Sequence, residues 1–164
     1  MHINKKIKNL TTILKKNKIK ISIAESCTGG QLAAHLTAQA GSSMWFDRGF
    51  VTYSNVSKTE SIGVSPSIIE QYGAVSEEVA KAMAQGALNH SAAKTSIAIT
   101  GIAGPGGSTE NKPVGMVCFA WAVQFPGSPA LLIASTQIFD GGRQAIREHA
   151  CAYALNELIQ ILRK

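Results

Sequence analysis

The hexapeptide Glu25-Ser26-Cys27-Thr28-Gly29-Gly30 places a serine where an apolar run stops and a helical pattern begins. Before it, Ile19 to Ala24 alternates in the manner of a strand. After it, Leu32, Leu36 and Ala40 recur at helical spacing. A serine at such a turn presents its hydroxyl outward, beside the unpaired N–H groups of the coming helix. Those donors, from Thr28, Gly29 and Gly30, suit an anion or a developing oxyanion. The glycines also let other atoms approach the backbone closely. Ser26 or Thr28 acting only as a helix cap fits the same residues, so the segment alone leaves both readings open.

The second reactive candidate is Lys58, in Tyr53-Ser54-Asn55-Val56-Ser57-Lys58. This stretch follows the apolar run Phe46 to Thr52, so it too sits at a strand end. Asn55 is a good N-cap, which puts Lys58 in the first helical turn. The positive end of a helix disfavours a cation, and burial adds to that effect. An ordinary lysine, near about 10.4, is protonated at neutral pH and accepts no proton. Lowering it to about 7–8, as a lysine base requires, takes roughly 4 kcal/mol of desolvation and positive field. A solvated surface lysine is the competing reading, and only a partner such as Ser26 argues against it.

The remaining elements are legible from pattern. Ile3, Ile7, Leu10 and Leu14 form the apolar stripe of an N-terminal amphipathic helix. Ser65-Pro66 opens a helix that Gly73 stops, and Ser76-Glu77-Glu78 opens another, with Val79, Met83, Ala87 and Leu88 on its apolar face. Thr95 to Thr100 is a short strand entering the glycine loop Gly101 to Gly107. Val114–Val123 and Ala130–Phe139, split by Pro126-Gly127-Ser128-Pro129, read as antiparallel strands. A last helix runs from about Arg143 to Leu162. Helices alternating with strands, then a late hairpin, predict an α/β fold with a mixed sheet between helical layers. No repeat or linker divides residues 1–164, which read as a single domain with enough apolar content for a core.

Composition narrows the function classes. No apolar run reaches the ~20 residues of a membrane span, and no secretory signal is evident. Three widely spaced cysteines, Cys27, Cys118 and Cys151, suggest reduced thiols in a cytoplasmic protein. The net charge of +6 invites a nucleic-acid reading that its distribution opposes. Seven lysines and no acid occupy the first 20 positions, and the remaining nine Lys/Arg and ten Asp/Glu sum to −1. Those lysines read as the solvated face of the first helix, so neither nucleic acid nor membrane is the expected partner. A homodimer is expected of a domain this small.

Rival motifs are weaker. Gly101 to Ser108 nearly spells a phosphate-binding P-loop, but Gly107 stands where its lysine belongs. The loop still suits one wall of a substrate pocket, with Gly101, Gly104 and Gly106 giving close backbone approach, although a tight structural turn fits it too. Ser91-Ala-Ala-Lys94 matches a serine-x-x-lysine spacing but falls at a helix end, away from any cleft signal. Cys27 lacks a histidine partner at motif level and reads as a buried thiol. The four histidines are scattered and suggest no metal site, and no cofactor motif is present.

The ordered motifs carry a resemblance. Ala24–Gly30, Gly41-Ser-Ser43, Val51–Asn55 with Lys58, Gly73-Ala-Val-Ser-Glu77, Thr100–Gly107 and Lys112-Pro-Val-Gly115 together resemble the CinA C-terminal domain family, in particular its stand-alone nicotinamide-nucleotide amidases. The match covers the chain from about residue 5 onward. The resemblance implies a three-layer α/β/α sandwich. It also implies hydrolysis of the carboxamide of nicotinamide mononucleotide, in pyridine nucleotide (NAD) recycling, by a Ser/Lys mechanism without metal or cofactor. On that reading Ser26 is the nucleophile and Lys58 the base, with Tyr53 orienting the lysine or relaying its proton. Thr100 holds the carboxamide or the serine-lysine pair, and Arg143 binds the phosphate, with Arg147 one turn on to assist. The family's Gly-Asp-Arg before the last helix reads Gly141-Gly142-Arg143 here, leaving open what the missing aspartate positions. A non-catalytic nucleotide-binding or regulatory module, and an amidase for another small carboxamide, remain the alternatives.

Overall fold

A computed structural model of the chain describes residues 2–164. The elements in order are α1 (Ile3–Asn17), β1 (Ile21–Glu25), α2 (Gln31–Thr37), β2 (Phe46–Val51), α3 (Asn55–Ile62), α4 (Pro66–Tyr72), α5 (Glu77–Asn89), β3 (Thr95–Gly101), β4 (Met116–Val123), β5 (Leu131–Ile138) and α6 (Arg143–Arg163). The strands form one sheet in the order β2-β1-β3-β4-β5. β1 is parallel to both β2 and β3, whereas β3–β4 and β4–β5 pair antiparallel. The sheet is therefore mixed and covered by helices on both faces, as the sequence pattern predicts.

The alternation in the central strands separates large from small rather than buried from exposed, because both faces are covered. Ile21, Ile23, Ile97, Ile99, Val117, Phe119 and Trp121 pack with Leu10 and Leu14 of α1, Leu32 and Leu36 of α2, and Ala154 and Leu158 of α6. Ala24, Ala98, Ala120 and Ala122 face Ala80, Met83, Ala84 and Ala87 of α5. Small residues on both sides let α5 lie close to the sheet. There the buried hydroxyls of Ser22 and Ser96 donate to the Ala87 and Ala84 carbonyls at 3.1 and 2.7 Å. That close packing brings the residues just before α5 to the carboxyl ends of β1 and β3.

Two local expectations are corrected. The helix that begins at Gln31 ends at Thr37, so Ala40 lies beyond it and is exposed; Trp45 supplies the apolar cover, buried with its indole N–H on the Leu36 carbonyl at 2.9 Å. The cap of α3 is Ser54 rather than Asn55. Ser54 holds the extended conformation of a cap and accepts the Ser57 N–H at 3.1 Å, which makes Asn55 the first helical residue.

Candidate active site

β1 exits toward α2 on one face of the sheet, and β2 exits toward α3 on the other. A crevice opens where neighbouring connections part, at the carboxyl ends of parallel strands. The cleft there has a volume of about 290 Å³. Ser26, Tyr53, Lys58, Thr100, Gly101, Gly104, Gly106 and Arg143 all line it, although they come from four separate stretches of chain.

Ser26 is the residue immediately after β1, and its N–H donates to the Ile99 carbonyl of β3 at 2.9 Å. Next to it, Thr52 N–H donates to the Glu25 carbonyl at 2.8 Å. The turn that carries Ser26 is thus fastened to both neighbouring strands. Lys58, on the first turns of α3, reaches back beneath β2. Its amine donates to the Thr52 carbonyl at 2.8 Å, to the Tyr53 carbonyl at 3.2 Å and to Ser26 Oγ at 3.1 Å. The Ser26 hydroxyl in turn donates to the Tyr53 carbonyl at 3.4 Å.

Lys58 is only 1% exposed. Among the described residues it has no carboxylate partner, since the one ion pair is Arg48–Asp47 on β2. Burial accordingly pushes the amine below its ordinary value of 10.5, with the neighbouring Cys27 acting in the opposite sense. The three acceptors match the three N–H groups of an ammonium; on losing a proton the amine keeps two N–H groups for the carbonyls and can turn its lone pair to Ser26 Oγ. The Cys27 thiol beside it is also buried, which pushes it up to about 12 and leaves it protonated.

At the rim, Arg143 opens α6. It donates to the Gly104 carbonyl at 2.8 Å and to the Tyr53 hydroxyl at 3.1 Å. No acid neutralises it among the described residues, so its charge faces the mouth of the cleft. Gly104 has φ +79°, and a Cβ there would meet Val114 Cγ1 at 2.5 Å, so the loop can pass between Val114 and Arg143 only as glycine. Thr100, buried at the cleft wall, donates its hydroxyl to the Ala74 carbonyl at 2.8 Å. Lining residues that pattern reading missed include Asn55, Ile102 and Ala103, and Ala74 and Val75, whose loop position before α5 carries no chemical signal; Glu25, also missed, lies behind the lining.

The structure places several predicted groups differently. None of Thr28, Gly29 and Gly30 lines the cleft: Thr28 is buried, the Gly29 N–H donates to the Ser26 carbonyl at 3.0 Å and the Gly30 N–H to the Glu25 carboxylate at 3.1 Å. Of the three predicted oxyanion donors, only the Thr28 N–H lacks a protein acceptor among the described residues. The Tyr53 phenol turns away to Arg143 and is 59% exposed; what Tyr53 offers Lys58 is its carbonyl. Arg147 points inward, donating to the Thr28 carbonyl at 3.0 Å, so it braces the turn that carries Ser26 instead of the rim. Ser91 lies at the end of α5 with its hydroxyl on the Ala87 carbonyl, outside the cleft. Among the described residues no group of three or more His, Cys, Asp or Glu is placed to hold a metal ion, and no helix is long and apolar enough to cross a membrane.

A family model described as the CinA C-terminal domain matches residues 3–162. The chain belongs to the CinA C-terminal domain family. Among relatives of this CinA domain, the nicotinamide-nucleotide amidohydrolase PncC of Escherichia coli (strain K12) is 48% identical over 147 residues, 90% of this chain and 87% of that protein. The protein of that name from Enterobacter agglomerans is 47% identical over 140 residues, 85% of this chain and 83% of its own. A CinA-like protein of Mycolicibacterium paratuberculosis is 52% identical over 87% of this chain but 33% of its own length, so the chain spans about a third of that relative. The crystal structure of the competence/damage inducible protein CihA from Agrobacterium tumefaciens has a TM-score of 0.90 at 41% identity, covering 99% of this chain and 96% of that one. A CinA superfamily protein from Escherichia coli gives 0.90 at 36% identity, over 98% and 90%.

Proposed function

We propose that this CinA domain hydrolyses the carboxamide of nicotinamide mononucleotide to nicotinate mononucleotide and ammonia, with Ser26 as nucleophile and Lys58 as base. The observation that carries the reading is the 3.1 Å approach of a buried, carboxylate-free amine to the serine hydroxyl. The PncC relatives, which span most of the chain, support the substrate.

Rotation of the Ser26 hydroxyl away from the Tyr53 carbonyl points its proton at the neutral Lys58 amine. As Lys58 takes that proton, Oγ attacks the carboxamide carbon and the carbonyl electrons move onto oxygen. The turn's N–H groups without a protein acceptor among the described residues are those of Cys27, which lines the cleft, and Thr28 behind it; they are the donors left for that oxyanion, and one such contact is typically worth ~3–4 kcal/mol. Collapse breaks the C–N bond, and Lys58 returns its proton to the departing ammonia. Water, with Lys58 again as base, cleaves the acyl-enzyme to the carboxylate and restores Ser26. Thr100 Oγ1 receives the carboxamide N–H, while Arg143, with the glycine loop at Gly101, Gly104 and Gly106, receives the phosphate.

In this reading the enzyme works in the cytoplasm as a homodimer, in pyridine nucleotide recycling. Ammonia release from nicotinamide mononucleotide by the purified protein, lost in Ser26→Ala with the fold intact, is the expected result. No release from the wild type contradicts the substrate, and release by Ser26→Ala contradicts the nucleophile. Nicotinamide and its riboside are expected to turn over more slowly than the mononucleotide; equal rates for all three remove Arg143 from the scheme.

A further inference from the structure

We propose that Glu25 is a positioning residue for Ser26, tying the end of the nucleophile turn back to its beginning; the proposal rests on Ser26 being the nucleophile. Glu25 is the last residue of β1 and is 1% exposed. No cation pairs with its carboxylate among the described residues. Instead Oε2 accepts the Gly30 and Leu32 N–H groups, each at 3.1 Å, and Oε1 accepts the Ala33 N–H at 2.8 Å. The negative charge therefore sits on the otherwise unsatisfied amides and the positive end of α2.

Two consequences follow for the site. The first is geometric. Ser26 is pinned at its own N–H by β3, and the chain then reverses through Gly29 and Gly30, whose φ values are +57° and +97°. Such a turn has many alternatives when its far end is free. The carboxylate closes it, spanning residues 25 to 33, and so fixes where Ser26 Oγ stands relative to the Lys58 amine. The second is electrostatic. Because Glu25 takes the amides of Gly30, Leu32 and Ala33, the positive end of α2 is used to hold the turn and is not presented to the substrate. Only an acceptor with two oxygens and no proton satisfies all three amides. Glutamine has nearly the same shape but must set an N–H donor against at least one of them.

The test compares wild type, Glu25→Gln, Glu25→Asp and Ser26→Ala by two readouts: steady-state hydrolysis of nicotinamide mononucleotide and the rate at which a fluorophosphonate probe labels Ser26. Glu25→Gln is expected to lower kcat per folded molecule by about 10²-fold, the usual effect of a small misplacement of reacting atoms. KM is expected to stay within about twofold, because no substrate contact is removed. Labelling slows in proportion. Glu25→Asp, which keeps both acceptor oxygens on a shorter arm, recovers part of the loss. A merely structural carboxylate would lower the melting temperature while leaving kcat and labelling per folded molecule unchanged, and that outcome overturns the proposal. Should Glu25→Gln fail to fold, Glu25→Asp decides alone: wild-type labelling overturns the proposal and slowed labelling with unchanged KM supports it. Labelling reads Ser26 directly, so a wrong substrate does not mask the result. Labelling that persists in Ser26→Ala overturns the nucleophile itself, a different failure from fast labelling in the Glu25 variants.

Discussion

The turn after β1 and the turn after β2 leave the sheet side by side, and each buries one charged side chain at its root. After β1 it is Glu25, surrounded by backbone N–H groups; after β2 it is Lys58, surrounded by backbone carbonyls. Both are 1% exposed and neither has a side chain of opposite charge among the described residues. The contrast lies in how completely each charge is met. Three amides and a helix end are a full set for a carboxylate. Two carbonyls and a serine leave an ammonium without a counter-charge, so burial lowers its pKa below the ordinary 10.5. Backbone groups thus satisfy the carboxylate fully at one turn and leave the amine uncompensated, with a lowered pKa, at the other.

The largest expected effect is at the basic turn. Lys58→Met fills the same space without an amine, and kcat is expected to fall by about 10³-fold, the scale of a lost general base. Measured turnover within a few-fold of wild type would make the two turns equivalent and remove the base.

A linked effect follows in stability. The folded Lys58 pKa lies below the ordinary 10.5. Between the two values the unfolded chain holds a proton that the folded chain has released, so unfolding free energy rises with pH across that window. Below the folded value the burial cost is fully present. The melting temperature of wild type relative to Lys58→Met is therefore expected to climb as pH increases toward 10.5. Parallel curves for the two proteins would contradict a depressed pKa.

Smaller effects are expected where a side chain is dispensable and the backbone does the positioning. Tyr53→Phe removes the hydroxyl on Arg143 but keeps the carbonyl on Lys58. A roughly fivefold loss in kcat/KM, about one hydrogen bond, is expected, with the pH–rate profile unmoved; a shifted profile would restore the phenol as a proton relay. Ser54→Ala removes the cap of α3, at a cost of about 1 kcal/mol in stability, with kcat nearly unchanged. The comparison with Glu25→Gln then separates a turn whose closure governs the rate from one whose cap does not.

Much of this was readable in the residues. The helices and strands followed from apolar spacing, caps and turn chemistry, because those are local rules. Ser26 and Lys58 were each visible as a residue at a strand end, but neither could be promoted alone. Their meeting depends on β1 and β2 being parallel neighbours, which no local pattern records; only the ordered motifs of the family supplied it. The errors arose where a local rule met a competing group. Gly29 and Gly30 looked like open donors because nothing local shows that the Ser26 carbonyl takes the first and the Glu25 carboxylate, folding back over the helix end, takes the second. Of the two roles expected of Tyr53, orienting the lysine or relaying its proton, the contact to the amine runs through its carbonyl, while the phenol meets Arg143. Asn55 and Ser54 are both good caps, and one residue of register separated them.

The protonation state of Lys58 tests the account most directly. NMR titration of 13Cε-labelled lysines, with the Lys58 signal assigned by its absence in Lys58→Met, reads that state without reference to any substrate. The account predicts a midpoint below 10.5 that coincides with the rising limb of kcat/KM against pH. A midpoint at the ordinary lysine value, with full hydrolysis while Lys58 is still an ammonium, would contradict it.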